Sequence, residues 1–188
     1  CWKWGTVTGR NDVDRGRVII AGGSVAGLFA GALLRREGLA VDVFERSGEA
    51  LASRGAGIAS HPELFETLEQ VGATPAKSLG DDSLGVEVVG RIVLDRDGTI
   101  IGEHPLPQIM LSWDRLYRVL RAVFPDHHYH AGRAIESFEQ ADDGVTVHLA
   151  AGARERAEWL IGADGIRSTV RRQLLPDLEP AYAGYVAW

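Results

Sequence analysis

The chain has 188 residues, of which 45% are hydrophobic and 24% charged, a composition typical of a globular protein with a core of its own. The formal net charge of −6 argues against a general attraction to nucleic acid, and no apolar run approaches the roughly 18 residues that a membrane-spanning helix needs. Cys1 is the only cysteine, which excludes a disulfide framework and a thiolate metal site and favours a reducing, cytoplasmic setting.

The first elements in chain order form a β-α-β unit. Residues 1–16 show neither hydrophobic periodicity nor the apolar segment of a signal peptide, so we expect a disordered leader. "RVIIA" (17–21) is a short apolar run typical of a buried parallel strand, and helical spacing begins at Ala26. Gly38 suits the left-handed position after a helix, and "AVDVFE" (40–45) is a second strand.

The middle of the chain alternates between helix and hairpin patterns. Ser60 and Glu63 form a capping box, which predicts a helix over 61–71. Residues 85–105 alternate around "DRDG" and predict an antiparallel hairpin. Residues 112–124 predict an amphipathic helix whose first residue, a serine, is the N-cap.

The last elements are again a hairpin, a strand and a helix. Residues 134–150 predict a hairpin that turns at 142–144, and 158–164 predict another buried strand. Ser168 can cap the short helix that follows, and the chain ends within an apparent strand at 180–188. The fold class expected from these elements is α/β: a Rossmann-like domain with a mixed sheet and antiparallel hairpins, rather than a uniformly alternating doubly wound sheet.

The glycine-rich loop after the first strand predicts a dinucleotide site. Gly22 permits the tight turn from strand to helix, and Gly27 lets the two backbones approach closely. Ser24 stands where the middle glycine of G-x-G-x-x-G is expected, and its hydroxyl can donate to a phosphate oxygen at the helix N-terminus. Glu45 ends the second strand, where a carboxylate can accept hydrogen bonds from an adenosine ribose and disfavours a 2′-phosphate. The alternative is a closely packed helix and strand with a solvated Glu45, and these residues alone do not choose NAD over FAD.

A second motif lies in "GADGIRSTVR" (162–171). Asp164 is placed at the carboxyl end of a strand, where ligands of open α/β sheets bind, and Gly165 lets the backbone turn sharply. Here the sequence resembles the class A FAD-dependent aromatic monooxygenases, the para-hydroxybenzoate-hydroxylase-like family. Their motifs G-G-S-[IV]-A-G-L and G-A-D-G-x-x-S-x-V-R match residues 22–28 and 162–171, and the closing "PAYAGYVAW" is similar to dihydroxypyridine and urate hydroxylases.

The resemblance implies that the chain is the N-terminal half of that fold. Residues 17–188 would form part of an FAD-binding domain, and 85–110 and 180–188 would begin the substrate-binding sheet. The family's third FAD motif, a strand followed by Gly-Asp and a helix, does not occur in these residues. Many relatives carry an arginine where this chain has Trp113, which puts one polar contact in doubt and allows ring packing on the flavin.

The resemblance also implies roles for individual residues in binding FAD. The pyrophosphate would be held by Gly22, Gly23, Ser24, Val25, Ala26 and Gly27. Glu45 would bind the adenosine ribose, with Arg46 near the adenine, and Ala134 would offer the adenine a backbone contact. Arg54 would lie near the ribityl or isoalloxazine group, and Asp164 would hold the ribityl chain and assist the encounter with NAD(P)H.

The implied reaction is hydroxylation of a small hydroxylated aromatic or nitrogen-heterocyclic ring. NADH or NADPH reduces FAD, O2 adds to give a flavin hydroperoxide, and that species transfers a hydroxyl to the ring. The partners implied are the ring substrate and O2, with a homodimer as a candidate state of the full-length protein. No catalytic acid or base is assigned.

Two other functions are compatible with parts of the sequence. An NAD-dependent dehydrogenase would share the first motif and Glu45, but it requires continued β-α alternation after residue 47 and no G-A-D-G segment. An inactive truncated remnant, binding FAD weakly or not at all, is favoured by the start without methionine and the abrupt end. A metal site is not expected, because "HHYH" (127–130) brings no carboxylate or thiolate at ligand spacing and is predicted to be solvated loop.

Overall fold

The computed structural model describes residues 16–49, 51, 57–74 and 84–184, so the expected leader over 1–15 lies outside the described residues. The strands are β1 (Arg17–Ala21), β2 (Ala40–Glu45), β3 (Gly57–Ser60), β4 (Gly85–Leu94), β5 (Ile100–Ser112), β6 (Tyr129–Ala131), β7 (Ile135–Ala141), β8 (Gly144–Leu149), β9 (Arg154–Ala157) and β10 (Trp159–Gly162). The helices are α1 (Val25–Arg36), α2 (Pro62–Gln70), α3 (Trp113–Val123) and α4 (Thr169–Leu174), with a 3-10 turn at Asp126–His128.

A parallel sheet with the order β10-β1-β2-β6 forms the centre of the fold. Because successive side chains of a strand point to opposite faces, β1 contributes to two cores. Val18 and Ile20 pack with α1 and α3, whereas Ile19 and Ala21 pack with strands β7, β8 and β9. The result is three layers: helices, the parallel sheet and an antiparallel sheet.

The antiparallel strands form two further sheets, with the orders β3-β5-β4 and β7-β8-β9. The β4–β5 hairpin turns at the predicted position, where Gly98 has φ of +88° and donates its N–H to the carbonyl of Asp95 (3.0 Å). The expected fold class is thus confirmed, with the parallel and antiparallel strands in separate sheets. In the described part of the chain, β2 is not followed by the β-α alternation that a dehydrogenase requires.

The predicted helix ends follow local chemistry in most cases. Gly38 ends α1 with φ of +87°, and Ser112 caps α3 by accepting the Arg115 N–H (3.1 Å). The predicted capping box at Ser60 is wrong: the N-cap of α2 is His61. Ser60 is the last residue of β3, and its hydroxyl donates to the Ile109 carbonyl (2.7 Å) across the sheet, so it is not available as a cap.

Two strand predictions near the end of the chain also change. β10 is an edge strand rather than a buried one, and Trp159 is 50% exposed, because its other side has no neighbour among the described residues. Residues 180–184 form no strand, and 185–188 lie outside the described residues, so a sheet contribution from 180–188 stays a prediction. No helix in the described residues is long and apolar enough to cross a membrane.

The prediction of solvated histidines at 127–130 is wrong for two of the three. His128 Nδ1 and His130 Nε2 each lie 3.0 Å from Oδ1 of Asp42, a buried residue of β2, and Arg17 approaches Oδ2 (2.8 Å). The His130 ring also stacks on Phe44. Sequence spacing could not reveal this, because the partner carboxylate is 88 residues from His130. Within the described residues no group of three or more histidines, cysteines and carboxylates is arranged to hold a metal.

Candidate functional site

A cleft of about 480 Å³ opens at the carboxyl ends of β1, β2 and β10. The parallel register pairs Ala21 with Gly162 and with Phe44, so the loops that follow these strands emerge side by side. This is the edge at which open α/β sheets bind ligands. The fold therefore brings the two sequence motifs, 140 residues apart in the case of Ser24 and Asp164, to one site.

Two glycines of the first loop are required by space or by backbone conformation. Gly22 has φ of +105°, and a Cβ there would lie 2.3 Å from the carbonyl oxygen of Ala163, in the loop of the second motif. A Cβ on Gly27 would lie 1.9 Å from the carbonyl oxygen of Gly22. The turn and the close approach expected of these positions are both present. A larger residue at 22 would push the two loops apart, and one at 27 would push α1 away from the loop that precedes it.

The middle position of the motif accepts a serine because Ser24 is the N-cap of α1. Its φ of −81° is ordinary for an L-residue, and its side chain forms no capping hydrogen bond. The hydroxyl is thus not used on the helix, and the residue lines the cleft. Together with the unsatisfied N–H groups of the first helical turn, it offers donors to an anionic group, which is the chemistry that a phosphate needs.

Glu45 is buried and already holds the loop. Its Oε2 accepts the Gly23 N–H and its Oε1 accepts the Ser47 N–H, both at 2.8 Å. An ionised carboxylate can accept about four hydrogen bonds, so two backbone donors leave capacity for ligand hydroxyls. The residue is 6% exposed and borders the cleft, so it is not the solvated residue of the alternative interpretation.

Asp164 fixes the second loop in a similar way. Its Oδ2 accepts the Thr169 N–H (2.6 Å) at the start of α4, and the Ser168 hydroxyl donates to its Oδ1. Gly165 follows with φ of +76°, which turns the backbone away from the strand. Arg171 donates to the Ile166 carbonyl (2.7 Å) and so braces this loop rather than the cleft.

The structure places the predicted residues in three groups. Those that line the cleft are Gly22, Ser24, Ala26, Glu45, Arg46, Ala134 and Asp164. Gly23 and Gly27 are buried behind the loop, and Val25 packs on the core between the sheet and the helices. Arg54 lies outside the described residues. Trp113 also lines the cleft, with its ring stacked on Tyr117 at 5.1 Å.

The sequence patterns did not identify two residues of the site. Arg167 is exposed at the cleft and gives it a second cation beside Arg46, and its place inside the G-A-D-G-x-x-S motif was an available signal. Tyr129 supports the loop from behind, through a hydrogen bond to the Gly23 carbonyl (3.0 Å). Nothing in the local pattern marks Tyr129, because its partner is 106 residues away.

The donors and acceptors of the cleft fit a dinucleotide such as FAD. The glycine loop is a cradle that a Cβ would fill, the α1 N-terminus favours a diphosphate, and the Glu45 carboxylate suits a ribose. The two exposed arginines add positive charge beside the anionic group. The arrangement can bind and orient an extended, doubly charged ligand, and no general acid or base is identified among these residues.

Comparisons with known proteins agree with this arrangement. A family model described as an FAD binding domain matches residues 15–182. The chain is 36% identical to 2,6-dihydroxypyridine 3-monooxygenase of Paenarthrobacter nicotinovorans, over 92% of this chain and 42% of that protein. It is also 36% identical to aurachin C monooxygenase/isomerase of Stigmatella aurantiaca, over 91% of this chain and 46% of that protein.

A solved structure shares the fold as well. The 2,6-dihydroxypyridine-3-hydroxylase of Arthrobacter nicotinovorans has a TM-score of 0.78 and 34% identity, over 90% of this chain and 42% of that one. The chain thus spans less than half the length of the relatives it matches. Since the family model covers most of the residues, including both motifs of the cleft, the chain belongs to the FAD binding domain family.

Proposed function

We propose that the protein containing this chain is an FAD-dependent monooxygenase. It uses NADH or NADPH and O2 to hydroxylate a small hydroxylated aromatic or nitrogen-heterocyclic ring. The observation that carries the proposal is the convergence of the 22–27 loop, Glu45 and Asp164 on one cleft at the sheet edge. When bound, FAD supplies the redox chemistry that activates O2 for transfer to the ring.

Different residues of the cleft bind different parts of FAD. The N-terminus of α1 with Ser24 binds the diphosphate, and Glu45 accepts hydrogen bonds from the adenosine ribose. Ala134 lines the cleft, and its backbone makes the contact to the adenine. Asp164, held by α4, orients the ribityl chain. The assignment of Arg54 to the flavin side stays a prediction.

The substrate class rests on the relatives and on the chemistry. Relatives at 36% and 27% identity are named for 2,6-dihydroxypyridine and 6-hydroxynicotinate, which are hydroxylated nitrogen heterocycles. A ring hydroxyl makes such rings electron-rich, as transfer of an electrophilic oxygen requires. The β4–β5 hairpin begins the substrate-binding sheet in this proposal, and its exposed apolar side chains, such as Val89 (86% exposed) and Ile101 (63%), suit coverage by further protein.

The first experiment is to read the coding DNA on both sides of the fragment and to express the whole reading frame. The purified protein should carry flavin, and NADH or NADPH oxidation should accelerate when 2,6-dihydroxypyridine or 6-hydroxynicotinate is added. Mass spectrometry should find a product one oxygen heavier than 2,6-dihydroxypyridine, whereas hydroxylation of 6-hydroxynicotinate at C3, which bears the carboxylate, should release CO2. Nicotinate, which lacks the ring hydroxyl, is the matched control for 6-hydroxynicotinate. Flavin binding without ring-dependent NAD(P)H oxidation would contradict the substrate proposal, and absence of flavin would contradict the FAD site.

A further inference from the structure

Both backbone polar groups of Gly23 form hydrogen bonds with side chains of the surrounding fold. Its N–H donates to Glu45 Oε2 (2.8 Å), and its carbonyl accepts the hydroxyl of Tyr129 (3.0 Å). A trans peptide directs its C=O and the following N–H to opposite sides. A Gly23 carbonyl turned toward Tyr129 therefore turns the Ser24 N–H away from Tyr129, and Ser24 lies in the wall of the cleft.

The Tyr129 hydroxyl is suited to be a permanent donor. Burial and the neighbouring Tyr117 raise the pKa of Tyr129 far above its ordinary value, so the phenol stays protonated well above neutral pH. The Tyr117 hydroxyl lies 3.4 Å from the Tyr129 hydroxyl, which donates to the Gly23 carbonyl. The Arg121 guanidinium, 4.3 Å above the Tyr129 ring, holds the ring in place.

The loop and the ring are also fitted sterically. A Cβ on Gly23 would lie 2.4 Å from the Tyr129 hydroxyl and 2.7 Å from two of its ring carbons. Gly23, unlike Gly22, does not have a positive φ, so its backbone conformation would accept any residue. Glycine is needed at 23 because Tyr129 occupies the space behind it.

We infer that Tyr129 is a positioning residue for the diphosphate of the bound dinucleotide: its hydroxyl fixes the peptide between Gly23 and Ser24 so that the Ser24 N–H faces a diphosphate oxygen. The inference rests on the proposed function, since it takes FAD as the ligand of the cleft. Tyr129 itself touches no ligand and acts through the loop. No bond is made or broken, and the effect is on affinity and on the environment of the phosphorus atoms.

The test compares Tyr129→Phe with Tyr117→Phe in the protein of the whole reading frame, freed of flavin. Each variant loses one hydroxyl of the same part-buried pair, but only Tyr129 contacts Gly23. Affinities for FAD, ADP and adenosine are measured by calorimetry. Tyr129→Phe should weaken FAD and ADP by about five- to tenfold and leave adenosine within about twofold, whereas Tyr117→Phe should change all three by less than about twofold. The 31P signals of bound FAD should shift only in Tyr129→Phe.

A second pair of variants tests the same N–H without touching the tyrosine. Ser24 has φ of −81°, which proline accepts, so Ser24→Pro removes the N–H and Ser24→Ala keeps it. Ser24→Pro should bind FAD and ADP about five- to tenfold more weakly than Ser24→Ala. Equal affinities for this pair overturn the inference, even if Tyr129→Phe fails to fold.

The other outcomes are also decisive. Equal loss of adenosine, ADP and FAD affinity in Tyr129→Phe would mean that the hydroxyl only supports the fold, and wild-type FAD affinity in that variant would mean that the hydroxyl does nothing for the diphosphate. Either result overturns the inference while the FAD site stands. If the wild-type protein binds neither FAD nor ADP, the proposed function fails as well.

Discussion

The substitution Glu45→Gln tests whether the Glu45 carboxylate only binds ligand or also stabilises the loop of the site. In the structure both oxygens accept backbone N–H groups, from Gly23 and Ser47, at 2.8 Å. Glutamine has one acceptor oxygen, so one of these N–H groups would face an amide NH2 and lose its partner. Hydrogen bonds to charged groups contribute about 1.5–3 kcal/mol each, and a buried donor left unpaired adds its desolvation cost. We expect the ligand-free protein to lose about 2–4 kcal/mol of unfolding free energy, a large share of the 5–15 kcal/mol that is usual.

The assay is urea unfolding of the flavin-free protein, with the midpoint and slope of the transition compared between variants. Glu136→Gln is the matched control, because it removes the same charge from an exposed position of β7 and should change the unfolding free energy by no more than about 0.5 kcal/mol. FAD affinity of Glu45→Gln should fall about ten- to hundredfold, since the loop is displaced and the ribose acceptor is weakened. Unchanged ligand-free stability with reduced FAD affinity would refute the structural part of this reasoning.

Two further predictions follow from residues around the cleft. Gly27→Ala should destabilise the protein by at least about 3 kcal/mol and abolish flavin binding, because its Cβ would meet the Gly22 carbonyl, whereas Gly57→Ala, whose Cβ would meet nothing closer than 4.0 Å, should unfold within about 0.5 kcal/mol of wild type. Asp42→Asn should make the unfolding free energy depend less on pH below pH ~4. Burial raises the pKa of Asp42, but hydrogen bonds from His128, His130 and Arg17 outweigh this effect and lower the pKa to about 2. The stabilisation by the Asp42 carboxylate is thus complete above pH ~4 and is lost as the pH falls toward 2. After solvent screening it amounts to about 1–2 kcal/mol. The measurement is the unfolding midpoint across that pH range, and midpoints of wild type and Asp42→Asn that fall in parallel would contradict the prediction.

Local rules sufficed for most of the elements and for half of the site. The period of two in β8, the period of 3.6 in α3, and glycines at positive φ after α1 and in the β4–β5 turn depend on residues only a few positions apart. The same rules located Gly22, Gly27 and Glu45 at the ends of predicted elements. They failed at Ser60, where a cross-strand carbonyl 49 residues away took the hydroxyl from the predicted cap.

The sequence by itself determined the β-α-β unit, the two motifs and, through them, membership of the FAD-binding domain family. Only the tertiary structure decided which distant residues form polar contacts: Tyr129 with Gly23, Glu45 with the Gly23 N–H, and two histidines with Asp42. The physical reason is range. Dihedral preferences and periodicity act within a turn or a strand, whereas sheet order and register set these polar partners. Sheet order and register bring residues that are separated by 22 to 106 positions in the sequence to within 3.0 Å of each other.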